Sequence, residues 1–160
     1  MRKQTPVSSY AVAVALGANL GDRAATLAWA VGRLRELLTD VGVSPWRDTE
    51  PVDAPAQPRF LNGALVGRTS LSPQRLLEAL QQIELDAGRE RPFPNAPRTL
   101  DLDLVLYGDV VVDEPGLRVP HPRFRARRFV LEPLADIAPD WVDPETGRTV
   151  EELLRELDQT

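Results

Sequence analysis

Two aspartates on one predicted strand carry the clearest chemical signal in the sequence. In residues 100–107, leucines alternate with Asp101, Asp103, Val105 and Tyr107, which is the period of a β-strand with one face in a core. Side chains two residues apart on one strand face lie about 7 Å apart, so the two carboxylates repel each other and need cations nearby. Aspartates also occur on solvated strand faces without a function, and the rest of the chain has to decide between these readings.

Two arginine-bearing loops flank this strand in the sequence. Each set alone would also fit a solvated rim. Guanidinium groups match phosphate geometry, and divalent cations such as Mg²⁺ bridge phosphate oxygens and prefer carboxylate ligands. The combination therefore indicates a nucleoside polyphosphate. The arginines are Arg89, Arg91 and Arg98 before the strand and Arg118, Arg123, Arg125, Arg127 and Arg128 after it.

A second, weaker signal comes from aromatic and amide side chains. Phe60 and Asn62 fall on one face of a predicted strand, and Phe129 follows the second arginine loop. An aromatic ring beside an amide suits a flat heterocycle with a polar edge. The phenylalanines would equally fit a hydrophobic core. The stretch GANLGD, residues 17–22, lacks the spacing of a phosphate-binding loop and is interpreted as a structural turn.

Composition limits the classes of function. The 160 residues, 42% of them hydrophobic, are expected to form one domain spanning 1–160. The net charge of −5 argues against nucleic-acid binding, and the absence of cysteine excludes thiol chemistry and disulfides. No stretch approaches the length of a membrane span. The apolar segment near the N-terminus is interpreted as a strand and not as a secretory signal, which predicts a cytoplasmic protein.

The order of predicted elements favours an α+β fold. It matches a ferredoxin-like α/β sandwich, an antiparallel sheet with helices packed mainly on one face and the other face open for binding. Helix starts are indicated by Asp22, by Ser72-Pro73 and by the capping-box pair Thr149 and Glu152. The predicted elements are strands at 10–17, 43–50, 60–69 and 100–107 and helices at about 23–39, from 73 to 87, and from 149.

Five stretches, in this order along the chain, closely resemble the 6-hydroxymethyl-7,8-dihydropterin pyrophosphokinase family of folate biosynthesis. The resemblance covers roughly residues 11–141. It implies a ferredoxin-like sandwich and the transfer of the β,γ-pyrophosphoryl group of ATP to the hydroxymethyl oxygen of the pterin, with release of AMP. The stretches are ALGANLGDR, FLNGAL, QQIELDAGRER, PRTLDLDLVLYGD and VPHPRFRARRFVLEPLADIAPDW.

The resemblance also implies roles for single residues. Two Mg²⁺ ions would be held by Asp101 and Asp103 against the triphosphate, with Arg89 and Arg98 completing the catalytic set. Nucleotide contacts would come from Gln81, Glu84, Arg91, Arg98, His121 and Arg127. The pterin pocket would be lined by Thr49, Val52, Phe60, Asn62, Asp101 and Phe129, with the two phenylalanines on opposite faces of the ring.

The chain departs from the family at residues 94–98, which read PNAPR where the family often has Arg-Trp-Gly-Pro-Arg. The loop aromatic is therefore absent, and Phe93 is the nearest substitute. Two other classes of function remain as alternatives: a Mg²⁺-dependent nucleotide phosphohydrolase and a non-catalytic nucleotide-binding module. The expected partners are ATP and the pterin alcohol, bound by a monomer.

Overall fold

The computed structural model describes residues 9–49, 59–88 and 100–159. These ranges contain seven strands, four α-helices and one 3₁₀ turn. None of the helices within them is long and apolar enough to cross a membrane. The elements are β1 Tyr10–Ala18, α1 Arg23–Leu37, β2 Thr39–Val43, β3 Arg47–Thr49, β4 Phe60–Thr69, α2 Pro73–Ala87, β5 Asp101–Tyr107, β6 Val112–Glu114, β7 Leu117–Val119, the 3₁₀ turn Phe124–Ala126, α3 Arg128–Ile137 and α4 Val150–Asp158.

The main sheet is antiparallel throughout. Its strand order is β2-β4-β1-β5, and β3 pairs with β4 beyond the end of β2. β6 and β7 form a separate antiparallel hairpin. A mixed chain with an antiparallel sheet is an α+β fold, so the predicted fold class is confirmed.

Helices cover both faces of this sheet, two on each. Val14 and Leu16 of β1 point to a core with α1 and α2, whereas Ala13 and Ala15 point to a second core with α3 and α4. The expectation that helices pack mainly on one face therefore needs correction. The helices α3 and α4 both have an apolar side. These apolar sides pack on the sheet face that was expected to be open for binding. Among the described residues, these two helices leave one end of that face uncovered.

Local signals for helix starts behave as the sequence predicts. The side chains of Asp22 and Ser72 accept hydrogen bonds from the N–H groups of Ala25 and Arg75. Thr149 and Glu152 form a complete capping box at the start of α4. The first helix ends at Leu37, two residues before the predicted end.

Within the predicted strand at 43–50 the structure has β3 at Arg47–Thr49, whereas β2 shares only Val43 with that prediction and was not predicted. β2 ends at Val43 and β3 begins at Arg47 because Pro45 has no N–H to donate to a ladder. The Ser44 hydroxyl accepts instead from the Ala64 N–H at 2.9 Å. Trp46 then packs on Gly63, where an added Cβ would lie 2.3 Å from the indole ring. Because Gly63 has no side chain, the Trp46 ring can lie against β4 in the segment that connects β2 and β3.

A β-bulge interrupts the alternation of β5. The register of β5 on β1 shifts between Leu104 and Leu106, so Val105 is an extra residue on its strand. Leu106 consequently packs with α3 and α4, and Tyr107 packs in the opposite core, where its hydroxyl donates to the Leu71 carbonyl. The period-2 prediction is wrong for these last two residues and correct for Asp101 and Asp103.

A buried ion pair fastens the loop that leads into α3. Asp143 is fully buried, and it accepts from the Arg125 guanidinium, from the Thr146 hydroxyl at 2.7 Å and from the Glu145 N–H at 3.0 Å. Burial acts to raise the pKa of the Asp143 carboxyl, but the hydrogen bonds from Arg125, Thr146 and Glu145 outweigh it and lower the pKa below its usual value. The arrangement joins the arginine loop to the turn before α4.

Candidate active site

One row of four residues crosses the sheet from edge to edge. Arg47 on β3 pairs with Asn62 on β4, Asn62 pairs with Gly17 on β1, and Gly17 pairs with Asp101 on β5. All four lie on the face that α3 and α4 cover farther along the strands. Asp103 follows on the same face, one row nearer to those helices. The register therefore places an amide and two carboxylates on the open end of one sheet face.

The Asp101 and Asp103 carboxylates have the chemistry of a magnesium site. Both residues are half-buried and share one strand face. In the described ranges no group of three or more His, Cys, Asp or Glu residues comes together to hold a metal. Mg²⁺ is usually bound by one or two carboxylates plus substrate phosphates and water. The two aspartates fit a cation that arrives with a polyphosphate.

Glu84 fastens β5 between these two aspartates. Its Oε2 atom accepts from the Leu102 N–H at 2.8 Å. β5 is an outer strand of the described sheet, so this amide faces away from β1 and has no ladder partner there. The carboxylate of α2 satisfies it. Gln81 lies one turn earlier on the same helix and is exposed.

The pKa of the His121 side chain is affected by residues of the predicted metal and phosphate sites. Burial is the main cause that lowers the pKa of the His121 imidazole, the Asp103 carboxylate opposes this, and Arg127 and Arg123 lower the pKa further. The ring Nδ1 accepts from the Arg123 backbone N–H at 3.2 Å. A neutral ring whose Nδ1 accepts carries its hydrogen on Nε2. His121 can therefore donate a hydrogen bond from Nε2 without adding positive charge.

The arginines after β5 differ in what their side chains bind. Arg125 pairs with Asp143 and Glu145, and Arg128 pairs with Asp158. Arg118 pairs with an aspartate of the β6–β7 hairpin at 3.1 Å. Within the described residues, Arg123 and Arg127 form no ion pair with a carboxylate. Among the described arginines after β5, these two guanidinium groups are therefore the candidates for binding an anion near His121.

Asn62 and Phe60 pack closely beside Gly17 at the other end of the row, and we call the surface formed by these three residues the slot. An added Cβ on Gly17 would lie 2.8 Å from Asn62 Oδ1 and 3.6 Å from the Phe60 ring. Asn62 is only 6% exposed, and its Nδ2 donates to the Thr49 hydroxyl. The amide is therefore held in one orientation beside a strip of bare backbone.

Phe129 stands at the start of α3, over the same face. Its ring is half-buried, and the Arg127 guanidinium lies 5.5 Å from its centroid. The stacking connects an anion-binding group to an aromatic surface.

Of the predicted site residues, Arg89, Arg91, Arg98 and Val52, together with Phe93, lie outside the described residues.

Comparison with known proteins decides the family. The sequence profile of the family described as 7,8-dihydro-6-hydroxymethylpterin-pyrophosphokinase (HPPK) matches residues 13–139. The chain belongs to this family. The resemblance inferred from the sequence is confirmed.

Two relatives carry the name 2-amino-4-hydroxy-6-hydroxymethyldihydropteridine pyrophosphokinase. The protein from Synechocystis is 42% identical over 158 residues, covering 97% of this chain and 80% of the relative. The protein from Pseudomonas aeruginosa is 46% identical over 145 residues, covering 89% of each chain. Most of each relative is therefore represented here.

A solved structure of wild-type Plasmodium falciparum HPPK-DHPS shares the fold. It superposes with a TM-score of 0.72 at 12% identity, covering 93% of this chain and 45% of that chain. This chain thus corresponds to less than half of that longer protein. At such low identity the likeness supports the architecture alone.

Two members of the crossing row were missed by sequence reasoning. Gly17 has no side chain that could bind a ligand, so its residue type suggested no role in a site. A glycine inside a strand nevertheless indicates a close approach of another group or a bulge. Arg47 lies in a stretch interpreted as one continuous strand, so its face was not assigned. The positions of both residues in the site follow from the pairing register of β3, β4 and β1, which the sequence does not give.

Proposed function

We propose that this chain transfers the β,γ-pyrophosphoryl group of ATP to the hydroxymethyl group of 6-hydroxymethyl-7,8-dihydropterin, giving the pterin diphosphate and AMP. The family supports the reaction, and the row Asn62–Gly17–Asp101 is the observation that supports its location. The two named bacterial relatives support the same activity. The phosphohydrolase and the non-catalytic module are not favoured.

The row has the dimensions of the acceptor. Asn62 and Asp101 are separated by two strand spacings, about 10 Å. Gly17, which has no side chain, is the residue paired with both of them, and the Asn62 amide and the Phe60 ring lie beside it. A flat two-ring heterocycle laid over Gly17 meets the Asn62 amide with its polar edge and directs its hydroxymethyl group toward Asp101. In this proposal Phe60 and Phe129 would contact the faces of the ring, and Thr49 and Val52 would complete the pocket.

The other half of the site suits the triphosphate. The Asp103 carboxylate and the Arg127 guanidinium act in opposite directions on the pKa of the His121 imidazole. Arg127 supplies a guanidinium fork and His121 a neutral donor, both suited to phosphate oxygens. Gln81 and Glu84 on α2 would face the nucleoside. The loop arginines Arg89, Arg91 and Arg98 add positive charge in this proposal.

The chemical step is a displacement at the β-phosphorus of ATP. The hydroxymethyl oxygen forms a bond to that phosphorus while the bond to the bridging oxygen of the α-phosphate breaks, and AMP leaves with that oxygen. The hydroxyl proton passes to a carboxylate oxygen of Asp101 or Asp103. Bound Mg²⁺, two ions in this proposal, would supply charge neutralisation at the triphosphate through both aspartates. Positioning and neutralisation provide most of the catalysis in such transfers.

One assay tests the proposal. The protein is incubated with ATP and Mg²⁺, with and without the pterin alcohol, and the nucleotide products are separated. AMP formed only when the pterin is present is the expected result. Phosphate release without the pterin would indicate the phosphohydrolase, and nucleotide binding without any product would indicate the binding module.

Asn62→Ala is expected to weaken pterin binding with little effect on ATP. Losing one partner leaves buried polar atoms unpaired, at a cost of about 1–3 kcal/mol. Separate titrations with the pterin alcohol and with a non-hydrolysable ATP analogue, beside a thermal melt, measure the effect. Equal losses of both ligands with a lower Tm would instead assign Asn62 to the core.

Arg127→Ala is expected to lower kcat/KM for ATP by about 10²-fold, the size of one lost electrostatic contact. Arg127→Lys should restore only part of the activity, because an ammonium group does not match two phosphate oxygens at once. Arg128→Ala is the matched control, since the neighbouring Arg128 guanidinium is already bound to Asp158. Equal effects at both positions would contradict the assignment.

A further inference from the structure

One arginine joins the two elements that form the walls of the pterin slot. Arg47 of β3 donates from Nη2 to both carboxylate oxygens of Asp136, at 3.0 and 2.9 Å. It also donates from Nη1 to Glu132 at 3.2 Å and from Nε to Asp136 at 3.3 Å. Both carboxylates belong to α3. A planar guanidinium held by two carboxylates fixes distance and orientation together.

The carboxylates that bind Arg47 share a helix face with Phe129. Glu132 and Asp136 follow Phe129 by three and seven residues, which are the spacings of one helical face. An attachment at both positions restricts rotation of α3 about its axis. The direction in which the Phe129 ring points is therefore linked to Arg47.

The strand at the other end of the attachment is short. β3 has three residues and, within the described part of the chain, pairs only with β4. It carries Thr49, whose hydroxyl accepts from the Asn62 amide. The Arg47 side chain adds a second attachment to this strand, on the sheet face that α3 covers. The same side chain thus restrains Thr49, Asn62 and, through α3, Phe129.

We propose that Arg47 is a positioning residue for the pterin slot: by clamping β3 to α3 it sets the separation between the Thr49–Asn62 pair and the Phe129 ring. This inference rests on the proposed function, since the slot is taken to bind the pterin. Arg47 itself does not contact the reacting atoms. Loss of Arg47 should weaken binding of the pterin and not of ATP, because the residues proposed to bind the triphosphate lie at the other end of the row.

Arg47→Met tests the proposal, because methionine keeps a long apolar stem and removes the guanidinium. We expect pterin affinity to fall by about three- to tenfold, the size for a multidentate but partly exposed ion pair. KM for the pterin should rise accordingly, while kcat and the affinity for a non-hydrolysable ATP analogue stay within about twofold. Arg47→Lys should recover part of the loss.

Two further variants make the result specific. Arg33→Met is the matched control, because Arg33 joins α1 to α2 through Asp86 at 2.8 Å, in the layer away from the slot. Asp136→Asn should reproduce the pterin defect, and combining it with Arg47→Met should cost little more than Arg47→Met alone.

The outcomes separate the clamp from the proposed function. Unchanged pterin affinity in Arg47→Met would overturn the clamp. Loss of both ligands together with a lower Tm would also overturn it, by showing a general structural role. Failure of the unaltered protein to bind the pterin or to release AMP would overturn the proposed function itself, before any variant is compared.

Discussion

Asp101→Ala and Asp103→Ala are each expected to reduce pyrophosphoryl transfer by at least about 10²–10³-fold. Both carboxylates lie on the open end of one sheet face, and each would hold Mg²⁺ against the triphosphate. Loss of either removes a charge that is already in place before the reaction begins. Because both side chains are half-buried and neither belongs to the apolar cores, Tm should stay close to that of the unaltered protein.

The measurement is AMP release with saturating ATP, Mg²⁺ and pterin alcohol, together with a thermal melt. Asp109→Ala serves as the matched control, because Asp109 is exposed in the turn two residues after β5. An aspartate variant that keeps near-normal turnover would contradict the metal site. A large drop in Tm would assign that aspartate to folding.

The second large effect concerns stability. Asp143→Ala is expected to lower the free energy of unfolding by about 3 kcal/mol, as expected when one partner of a buried pair is removed. The value lies at the low end of the usual range because the Arg125 side chain keeps 26% exposure. A loss of this size corresponds to a decrease in Tm of about 10 °C. Denaturant melts of the variant and of Glu145→Gln, the exposed partner of Arg125, provide the comparison.

The pH dependence of this effect has a fixed sign. The pKa of Asp143 is lower in the folded chain than its ordinary value of 3.8. Its contribution is therefore complete above that value and is lost as the pH falls through the folded pKa. The stability difference between the unaltered protein and Asp143→Ala should shrink below about pH 4. A constant difference down to acid pH would contradict the role of the ionised carboxylate.

Local patterns predicted most of the fold, and long-range register accounts for what they missed. Capping residues such as Asp22, Ser72 and Thr149 act within four positions of themselves, so the sequence displays them directly. The bulge at Val105 is different, because Leu106 and Tyr107 are both apolar and either could face either core. The pairing register with β1 determines which core each of them faces, and residues 100–107 alone do not specify that register.

The candidate site shows the same division. The shared face of Asp101 and Asp103 follows from strand periodicity, and the Asn62 and Phe60 pair follows from the same rule. The opposition of Gly17 to Asn62 and Asp101 does not, because it depends on which strands become neighbours. The partner of Arg47 lies 89 residues away at Asp136, and no local pattern indicates such a pair.

Several expectations stay predictions. A single domain over 1–160, a monomeric state, a cytoplasmic location and two bound Mg²⁺ ions rest on the sequence and the family. The roles of Arg89, Arg91, Arg98 and Val52 do so as well, since these residues lie outside the described ranges.

The position of β5 at the border of the sheet also bears on how the protein behaves in concentrated solution. An outer strand with unused amide and carbonyl groups is a template on which a second molecule can stack. Here the Leu102 N–H is taken by Glu84, and the Val105 carbonyl accepts from the His121 N–H at 2.9 Å. Negative charge on the same strand repels an identical strand. The groups proposed to bind substrate thus also occupy hydrogen-bonding positions on this outer strand, and replacing Glu84 would leave the Leu102 N–H without the partner it has here.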